Sequence, residues 1–195
     1  MEIRGSAQLT CEERYLNDRF LLSPHPIIFY LSLMNAQYTQ FKKRITSPVA
    51  FLWFLFTQLP SAFFAGLRIA ALDDAKAAIS VTMKWFNKNP FHSIYFAILA
   101  MAAEVSTGLA GFGAIYKRSP AVSMLVTGTE GKFYKKAIGT ILFTCRNIAA
   151  VHAAVEETVS TGNPVTIVCH SVGTNSEGIV VAEFWFTWSF KAKNK

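Results

Sequence analysis

The sequence predicts an α+β fold in which a curved antiparallel sheet wraps a long central helix, preceded by a helical extension. Three patterns support this. Apolar residues repeat at helical spacing within residues 1–60, a long apolar stretch covers 91–116, and the later segments alternate as strands do. In the last of these segments, four aromatic residues fall on one face of a strand: Phe184, Phe186, Trp188 and Phe190.

The composition is that of one globular domain. The chain has 195 residues, 52% hydrophobic and 16% charged, which predicts a well-buried core and excludes intrinsic disorder. Its formal net charge of +7 favours an anionic partner without identifying one. Three widely spaced cysteines form no CxxC pair. They predict reduced thiols in a cytoplasmic setting and argue against a structural zinc site.

Residues 1–60 are predicted to be a helical extension. Apolar residues near three-and-four spacing predict a helix from Pro26 to about Arg44, which ends in three cations that suit the helix dipole. A second helix is predicted from a Ser47 cap to about Leu59, with Pro48 at its first helical position. The first twenty residues carry charges of both signs and no apolar core, so no secretory signal is expected.

Residues 61–195 are predicted to contain the sheet and the central helix. Asn89 and Pro90 are interpreted as the cap and first residue of that helix, which is predicted to run to about Tyr116. A short amphipathic helix begins at about Ile148 and is ended by Gly162. The predicted strands are Phe63–Leu72, Ala75–Trp85, Val122–Gly128 (followed by a turn near Glu130-Gly131), Lys136–Arg146, Val165–Val172 and Ile179–Phe190.

Two apolar stretches raise the question of a membrane. Ile45–Leu67 carries no formal charge and is long enough to cross a bilayer, but Pro60 and its polar neighbours interrupt it. Phe91–Tyr116 contains Glu104 near its middle, where a carboxylate is costly in lipid. These interruptions favour a soluble or peripheral protein over one that spans a membrane.

The segment between the second strand and the central helix resembles a known family. Its sequence from Trp85 to Tyr95, WFNKNPFHSIY, is similar to the start of the central helix in the PaaI-like thioesterase branch of the hot-dog superfamily. It looks most like an uncharacterised bacterial group of that branch, which has Asn-x-Asn and then Phe-Gly-Ser or Phe-Gly-Gly at this place. The resemblance covers about residues 60–191 and implies the hot-dog fold there.

The resemblance also implies an activity and an assembly. Such proteins are homodimers or dimers of dimers, with clefts for acyl thioesters between subunits. Amides at the start of the central helix polarise the thioester carbonyl, and in this chain they are expected near His92 and Ser93. A carboxylate deeper on a central helix acts as base or nucleophile. Coenzyme A is expected as part of the substrate, with no separate cofactor.

The chain departs from the family at the catalytic carboxylate. The expected position, eight or nine residues beyond His92, holds Ala100 or Met101, and neither can act as a base. The nearest carboxylate is Glu104, about 18 Å along the helix axis from His92, so the two would cooperate only across a dimer. His92 itself stands where the close relatives often have glycine. The Met101 departure favours, as the alternative function, binding of acyl groups or lipids without turnover.

The predicted site residues combine the resemblance with the chemistry of the side chains. The predicted catalytic residues are Glu104, His92 and Ser93, and the predicted substrate-binding residues are Asn87, Asn89, Met101, Lys135 and Lys136. Each also has a structural interpretation, such as a buried carboxylate satisfied by a nearby hydroxyl, or asparagines that serve a turn and a cap. A basic set that suits the phosphates of coenzyme A consists of Lys117, Arg118, Lys132, Lys135, Lys136 and Arg146.

Other candidate sites are interpreted structurally. His152 and Glu156, four residues apart on the short helix, indicate a surface hydrogen bond rather than a metal site because no third ligand accompanies them. The side chains of His170 and Ser171 face opposite sides of a strand and so form no dyad. The glycines at positions 108, 111 and 113 indicate close packing of the central helix rather than a phosphate cradle.

The leading hypothesis is therefore a cytoplasmic thioesterase-like hydrolase of acyl-CoA, in which Glu104 of the partner subunit serves as base. A third hypothesis is a peripheral membrane protein that docks through Val49–Phe64, which is rich in aromatic residues. Nucleic acid is not an expected partner, because the aromatic residues fall on buried strand faces instead of accompanying an exposed basic stripe.

Overall fold

The computed structural model describes the backbone of residues 26–193 and the side chains of residues 36–193. The chain divides into two units, residues 1–36 and 37–195. Within the first unit, residues 26–36 are helical. The predictions made for residues 1–25, including Cys11, lie outside the described residues. The fold described below is that of the second unit.

Five α-helices and six β-strands make up the described chain. The helices are α1 (Pro26–Ile45), α2 (Pro48–Gln58), α3 (Pro60–Ala65), α4 (Phe96–Ile115) and α5 (Ile148–Thr161), and a short 3-10 turn covers Trp85–Asn87. The strands are β1 (Arg68–Leu72), β2 (Ala77–Thr82), β3 (Val122–Phe133), β4 (Thr140–Cys145), β5 (Val165–Thr174) and β6 (Val180–Ala192). From β1 onward, this order confirms the predicted succession of strand, strand, long helix, strand, strand, short helix, strand and strand.

The six strands form one antiparallel sheet in the order β1-β2-β4-β5-β6-β3. The sheet is curved, and α4 packs against it. Strands β1 and β3 are its two edges. The predicted hot-dog architecture is therefore confirmed, with the long helix against the face that carries the four aromatic residues of β6.

The face of the sheet under α4 is almost fully closed to solvent. Phe184, Phe186, Trp188 and Phe190 are 0–5% exposed. The buried polar groups of α4 are paired across this interface: the Ser106 and Ser171 hydroxyls lie 2.7 Å apart, and the indole N–H of Trp188 donates to Thr107 Oγ1 at 3.0 Å. Because buried polar groups are costly when unpaired, these two contacts fix the helix on the sheet.

The glycines of α4 permit close packing, as predicted. A Cβ atom on Gly111 would lie 2.5 Å from Met124 Cε on β3, and one on Gly113 would lie 2.4 Å from the ring of Tyr38 on α1. Among the described helices, α4 is long and apolar enough to cross a membrane, and 67% of its most apolar window is buried. Packing on several sides accounts for its apolar surface.

The helices before the sheet share its hydrophobic core. Phe51 and Leu55 of α2 and Ala65 of α3 are at most 2% exposed. The Tyr38 hydroxyl donates to the carbonyl of Asp73 in the β1–β2 turn at 2.9 Å. Helix α2 has nearly the predicted bounds, although the Ser47 side chain makes no cap hydrogen bond. The domain boundary between residues 60 and 61 stays a prediction.

Several predicted strand boundaries were wrong. Trp85 lies in the 3-10 turn beyond β2, and Lys136 precedes β4, which begins at Thr140. Phe63 lies in α3 rather than in β1, because Pro60 begins a short helix and Gly66, at φ +80°, ends it. The predicted turn at Glu130-Gly131 is part of β3, which continues to Phe133. Gly131 serves the strand by leaving room for the ring of Phe184, since a Cβ there would lie 2.8 Å from that ring.

Two predictions about charged residues also need correction. Arg118, a member of the predicted basic set, is paired within the protein: its guanidinium makes two hydrogen bonds of 2.7 and 2.6 Å to the Glu156 carboxylate. Glu156 therefore pairs with Arg118 rather than with His152, whose ring packs edge-on against Tyr38. Burial lowers the pKa of His152. Within the described residues, no group of three or more His, Cys, Asp or Glu could hold a metal ion.

Candidate functional site

The loop that leads into α4 is built around Asn89. Its side-chain oxygen accepts hydrogen bonds from the Phe91 amide (3.0 Å), the Ser93 amide (3.2 Å) and the Ser93 hydroxyl (3.2 Å). The His92 amide donates to the Asn89 carbonyl at 3.1 Å, which closes a β-turn with Pro90 at its second position. Asn89 and Pro90 thus form a turn, and the prediction that they begin the central helix was wrong.

His92 has a left-handed backbone conformation, with φ +57°. Glycine adopts this region without steric cost, whereas a residue with a Cβ atom is strained there. This explains why glycine suits this position in the resembling family, and it shows that the turn geometry survives with histidine in its place. The imidazole is exposed and lies in the turn, not on the helix.

The free amides at the start of the central helix belong to residues further along the chain. Helix α4 begins at Phe96, and the amides of Ile98 and Leu99 both donate to the Tyr95 carbonyl. Within the described part of the chain, the amides of Phe96 and Ala97 make no hydrogen bond. The donors expected at His92 and Ser93 are instead satisfied by Asn89, so the helix tip with free N–H groups lies four residues later.

Exposed aromatic rings surround this helix tip. Phe96 is 55% exposed and meets Phe133, at the end of β3, edge-on with ring centroids 6.4 Å apart. Tyr95 contacts Phe96 in the same manner at 4.9 Å. The tip therefore combines unpaired amides with an apolar surround, which suits a polar carbonyl carried by an apolar group.

Asn87 is a structural residue in this loop. Its amide group donates to the carbonyls of Ala65 (3.2 Å) and Thr82 (2.9 Å), and its oxygen accepts the Lys84 amide at 2.7 Å. The residue is 1% exposed. Both polar atoms of the Asn87 side chain are therefore used within the protein, and its predicted role in substrate binding stays a prediction. Ser93, 7% exposed and bonded to Asn89, is likewise turned inward.

Glu104 lies on α4 with its carboxylate directed toward Gly108 and Trp188. A Cβ atom on Gly108 would be 3.5 Å from Glu104 Oε1 and 3.6 Å from the indole ring of Trp188, so both groups lie beside this glycine. Burial raises the pKa of Glu104 to about 6. Within the described chain, the carboxylate makes no hydrogen bond or ion pair.

Glu104 and the helix tip are on one helix but two turns apart. The eight residues from Phe96 to Glu104 correspond to about 12 Å along the axis, too far for both to reach one thioester carbonyl. Within one subunit they therefore serve different places. Met101 is half-buried and packs against the core, so it offers a thioether and no acid or base.

Lys136 lies beside the loop before α4, and its predicted role in substrate binding stays a prediction. Its ammonium group donates to the Phe91 carbonyl at 3.4 Å, and Lys135 follows the end of β3 next to it. Lys132, further back on β3, contacts Glu130 and the ring of Trp185 instead. The structure thus places Lys136 of the predicted basic set beside this loop, whereas Lys132 and Arg118 have carboxylate partners elsewhere.

The sequence did not reveal which residues lie next to the Glu104 carboxylate. Trp188 and Gly108 were assigned only to packing, although both lie near the Glu104 carboxylate, whose pKa is raised by burial. The signal was available in part, because Gly108 is four residues beyond Glu104 and so lies on the same helix face.

The overall fold is shared with solved structures described as thioesterases. A probable thioesterase of unknown function from Pseudomonas aeruginosa has a TM-score of 0.63 at 20% identity, over 75% of this chain and 97% of that chain. A thioesterase from Haemophilus influenzae has a TM-score of 0.55 at 10% identity, over 75% and 91%. A variant of a Staphylococcus aureus thioesterase has a TM-score of 0.52 at 16% identity, over 66% and 95%.

These similarities establish the class of fold. The chain has the hot-dog fold, and its structural neighbours include probable thioesterases of that fold. Neither the comparison with protein-family models nor the comparison with curated proteins returned a match. At these identities, the reaction of this chain has to be argued from its own residues.

Proposed function

We propose that this protein is a thioesterase-like hydrolase that acts on acyl thioesters as a dimer. The observation that carries the proposal is Glu104, a partly buried carboxylate on the central helix of a hot-dog fold, with a pKa raised to about 6 by burial. A carboxyl group with a pKa near neutrality exchanges protons readily at physiological pH, which is the property that a general base requires.

In the proposed reaction, Glu104 of one subunit acts on a thioester that is bound at the helix tip of another subunit. The thioester oxygen accepts hydrogen bonds from the free amides of Phe96 and Ala97, whose helix dipole favours the developing negative charge. Glu104 of the partner subunit removes a proton from water, and the water oxygen attacks the carbonyl carbon. The carbon–sulfur bond then breaks, and the thiolate leaves and takes up a proton, giving a carboxylic acid and a thiol.

A dimer is part of the proposal because one subunit holds its two groups about 12 Å apart. Strand β3 offers a free edge, since its one strand partner in the described sheet is β6. Leu125 and Phe133 on this strand are 66% and 51% exposed. Edge-to-edge pairing of β3 with its symmetry copy would bury both and satisfy the free backbone groups.

Coenzyme A is the proposed thiol carrier. Lys135 and Lys136 present positive charge next to the turn at Asn89–His92, close to the proposed carbonyl site. Cations at that place favour an anionic leaving group that carries phosphates. The cytoplasm, where acyl-CoA is available, is the proposed location.

Thiol release from a panel of medium-chain and aromatic acyl-CoA substrates tests the proposal. We expect turnover by the wild type and a loss of at least about 100-fold in kcat for Glu104→Gln, the size usual for removal of a general base. Glu157→Gln, an exposed carboxylate on α5, is the matched control and should retain wild-type turnover. Equal turnover by Glu104→Gln and the control would remove Glu104 from the reaction.

The pH profile gives an independent reading of the same residue. Because the base must be ionised, kcat should rise with pH through about 6 and level off above that, following the pKa of Glu104.

The lysines are tested by charge reversal. Lys136→Glu should raise the KM for acyl-CoA, while Lys191→Glu, at the far end of the β3–β6 pair, should not. A KM unchanged by Lys136→Glu would exclude the proposed phosphate contact.

A second function has one observation in its favour. Met101, rather than a carboxylate, occupies the position that the family resemblance implies for the catalytic residue. A hot-dog protein that binds acyl groups without hydrolysing them is therefore the alternative. Co-purified acyl ligand together with no thiol release from any substrate of the panel would favour it.

A further inference from the structure

A cavity lies away from the helix tip, between the end of α1, α2 and the last turns of α4. Its volume is about 450 Å³, within the range of about 300–1,000 Å³ typical of small-molecule sites. Its lining residues include neither Glu104 nor any residue of the loop before α4. We call it the α1–α2 cavity.

The walls of the α1–α2 cavity are apolar. Phe41 and Ile45 of α1 and Leu109 of α4 are at most 8% exposed and line its interior. Phe54 of α2 meets Phe112 of α4 edge-on, with ring centroids 6.1 Å apart. These five side chains offer dispersion contacts and no hydrogen bonds, so this part of the cavity suits a hydrocarbon chain.

The rim of the cavity carries one positive charge and no negative one. Arg44, in the last turn of α1, lines it together with Thr57 and Gln58, and no Asp or Glu is among the lining residues. The Thr57 hydroxyl already donates to the Trp53 carbonyl at 2.9 Å. Arg44 makes no hydrogen bond or ion pair within the described residues, so its guanidinium is available to an anion.

An apolar chamber with a guanidinium at its mouth has the chemistry of a site for an anionic amphiphile. Guanidinium groups bind carboxylates through two parallel hydrogen bonds, and the contact is strengthened where water is excluded. A neutral lipid would gain the apolar contacts only. A wholly polar anion would gain the contact with Arg44 but no apolar contacts with the cavity walls.

We propose that the α1–α2 cavity binds one long-chain carboxylic acid, with its hydrocarbon chain among Phe41, Phe54 and Leu109 and its carboxylate on Arg44. This site is separate from the proposed hydrolase site and does not depend on it. The chain would thus carry two places for acyl groups, one on the free tip of α4 and one behind its C-terminal half.

Isothermal titration with sodium laurate below its micelle concentration, and with lauryl alcohol, tests the proposal on the full chain. We expect one laurate per chain. Arg44→Glu should weaken laurate at least tenfold and leave lauryl alcohol unchanged. The matched control is Lys43→Glu, the exposed neighbour that does not line the cavity, and it should lose threefold or less.

A second pair of variants tests the cavity itself. Ala50→Trp places an indole inside the cavity and should weaken both ligands at least tenfold, whereas Val49→Trp adds the same group at an exposed position that does not line it. Circular dichroism and thermal unfolding establish that each variant folds. If Ala50→Trp does not fold, Thr57→Trp on the exposed rim replaces it.

Three results would overturn the proposal. They are no laurate binding by the wild type, wild-type affinity in the cavity-filling variant, and equal effects of Arg44→Glu on the acid and the alcohol. Glu104→Gln is included to separate the two sites. If it abolished laurate binding and Ala50→Trp did not, the acid would occupy the hydrolase site and the α1–α2 cavity would be excluded.

Discussion

Glu104→Gln should stabilise the protein at neutral pH, even if it abolishes activity. The carboxyl group has a pKa of about 6 in the folded chain, against an ordinary value of 4.5. Between these two pH values the folded state binds the proton more tightly than the unfolded state, so stability falls as pH rises from about 4.5 to about 6 and stays lower above that. The difference corresponds to about 2 kcal/mol, reduced to about 1–2 kcal/mol by partial contact with solvent.

Urea denaturation of wild type and variant at about pH 4 and about pH 8 measures this effect. Glutamine has the size of the carboxyl group and no charge, so the variant should gain about 1–2 kcal/mol at the higher pH and little at the lower. Glu157→Gln, on the exposed face of α5, should show no such difference between the two pH values. A Glu104→Gln variant that is no more stable than wild type at pH 8 would refute the argument that burial raises this pKa.

Other predictions concern packing and the loop. Gly108→Ala should raise the free energy of unfolding by up to about 1 kcal/mol, because its Cβ meets only ordinary contacts at 3.5 Å or more, whereas Gly113→Ala should lower it by about 1–3 kcal/mol through a clash at 2.4 Å. Ser106→Ala and Ser171→Ala should each cost about 1–3 kcal/mol, and the double variant less than their sum, since neither hydroxyl is then left unpaired. His92→Gly should be at least about 1 kcal/mol more stable than His92→Val, because φ is +57°. Chemical denaturation measures the free energy of unfolding in each case. Additive effects of Ser106→Ala and Ser171→Ala would contradict the second prediction. Equal stability of the two glycine variants, or of the two His92 variants, would contradict the first or the third.

The fold was predictable because its strongest signals are local. The alternation of aromatic residues in β6 and the long apolar run of α4 each fix which face is buried, and the structure closes both against each other. The errors occur where two local signals compete. Asn89-Pro90 reads equally well as a helix start or as a β-turn, and the hydrogen bonds that decide for the turn include one from Ile94 to Ala137, forty-three residues later in the chain.

The candidate site was predictable only in part, because its chemistry depends on distant residues. Glu104 was found as a carboxylate in an apolar helix, but its raised pKa depends on burial, and a side chain near it, Trp188, is eighty-four residues away in the sequence. The free amides at Phe96 and Ala97 follow from where the helix begins, so the error at Asn89 displaced them by four residues. The position of Lys136 beside the loop was not predicted, and the ion pair of Arg118 with Glu156 on α5 could not be foreseen from local sequence.

Because of the contacts of Asn87, the loop before α4 should tolerate very few substitutions at this one position. One side chain joins the end of α3, the end of β2 and the turn at Lys84. Aspartate would keep the acceptor but place a carboxylate against two carbonyl oxygens. Leucine has a similar volume but can neither donate nor accept a hydrogen bond. Glutamine has both polar groups but is one methylene too long for these three partners. Survivors of a saturation library at this position should therefore be asparagine almost without exception, even under a selection that demands only a soluble product.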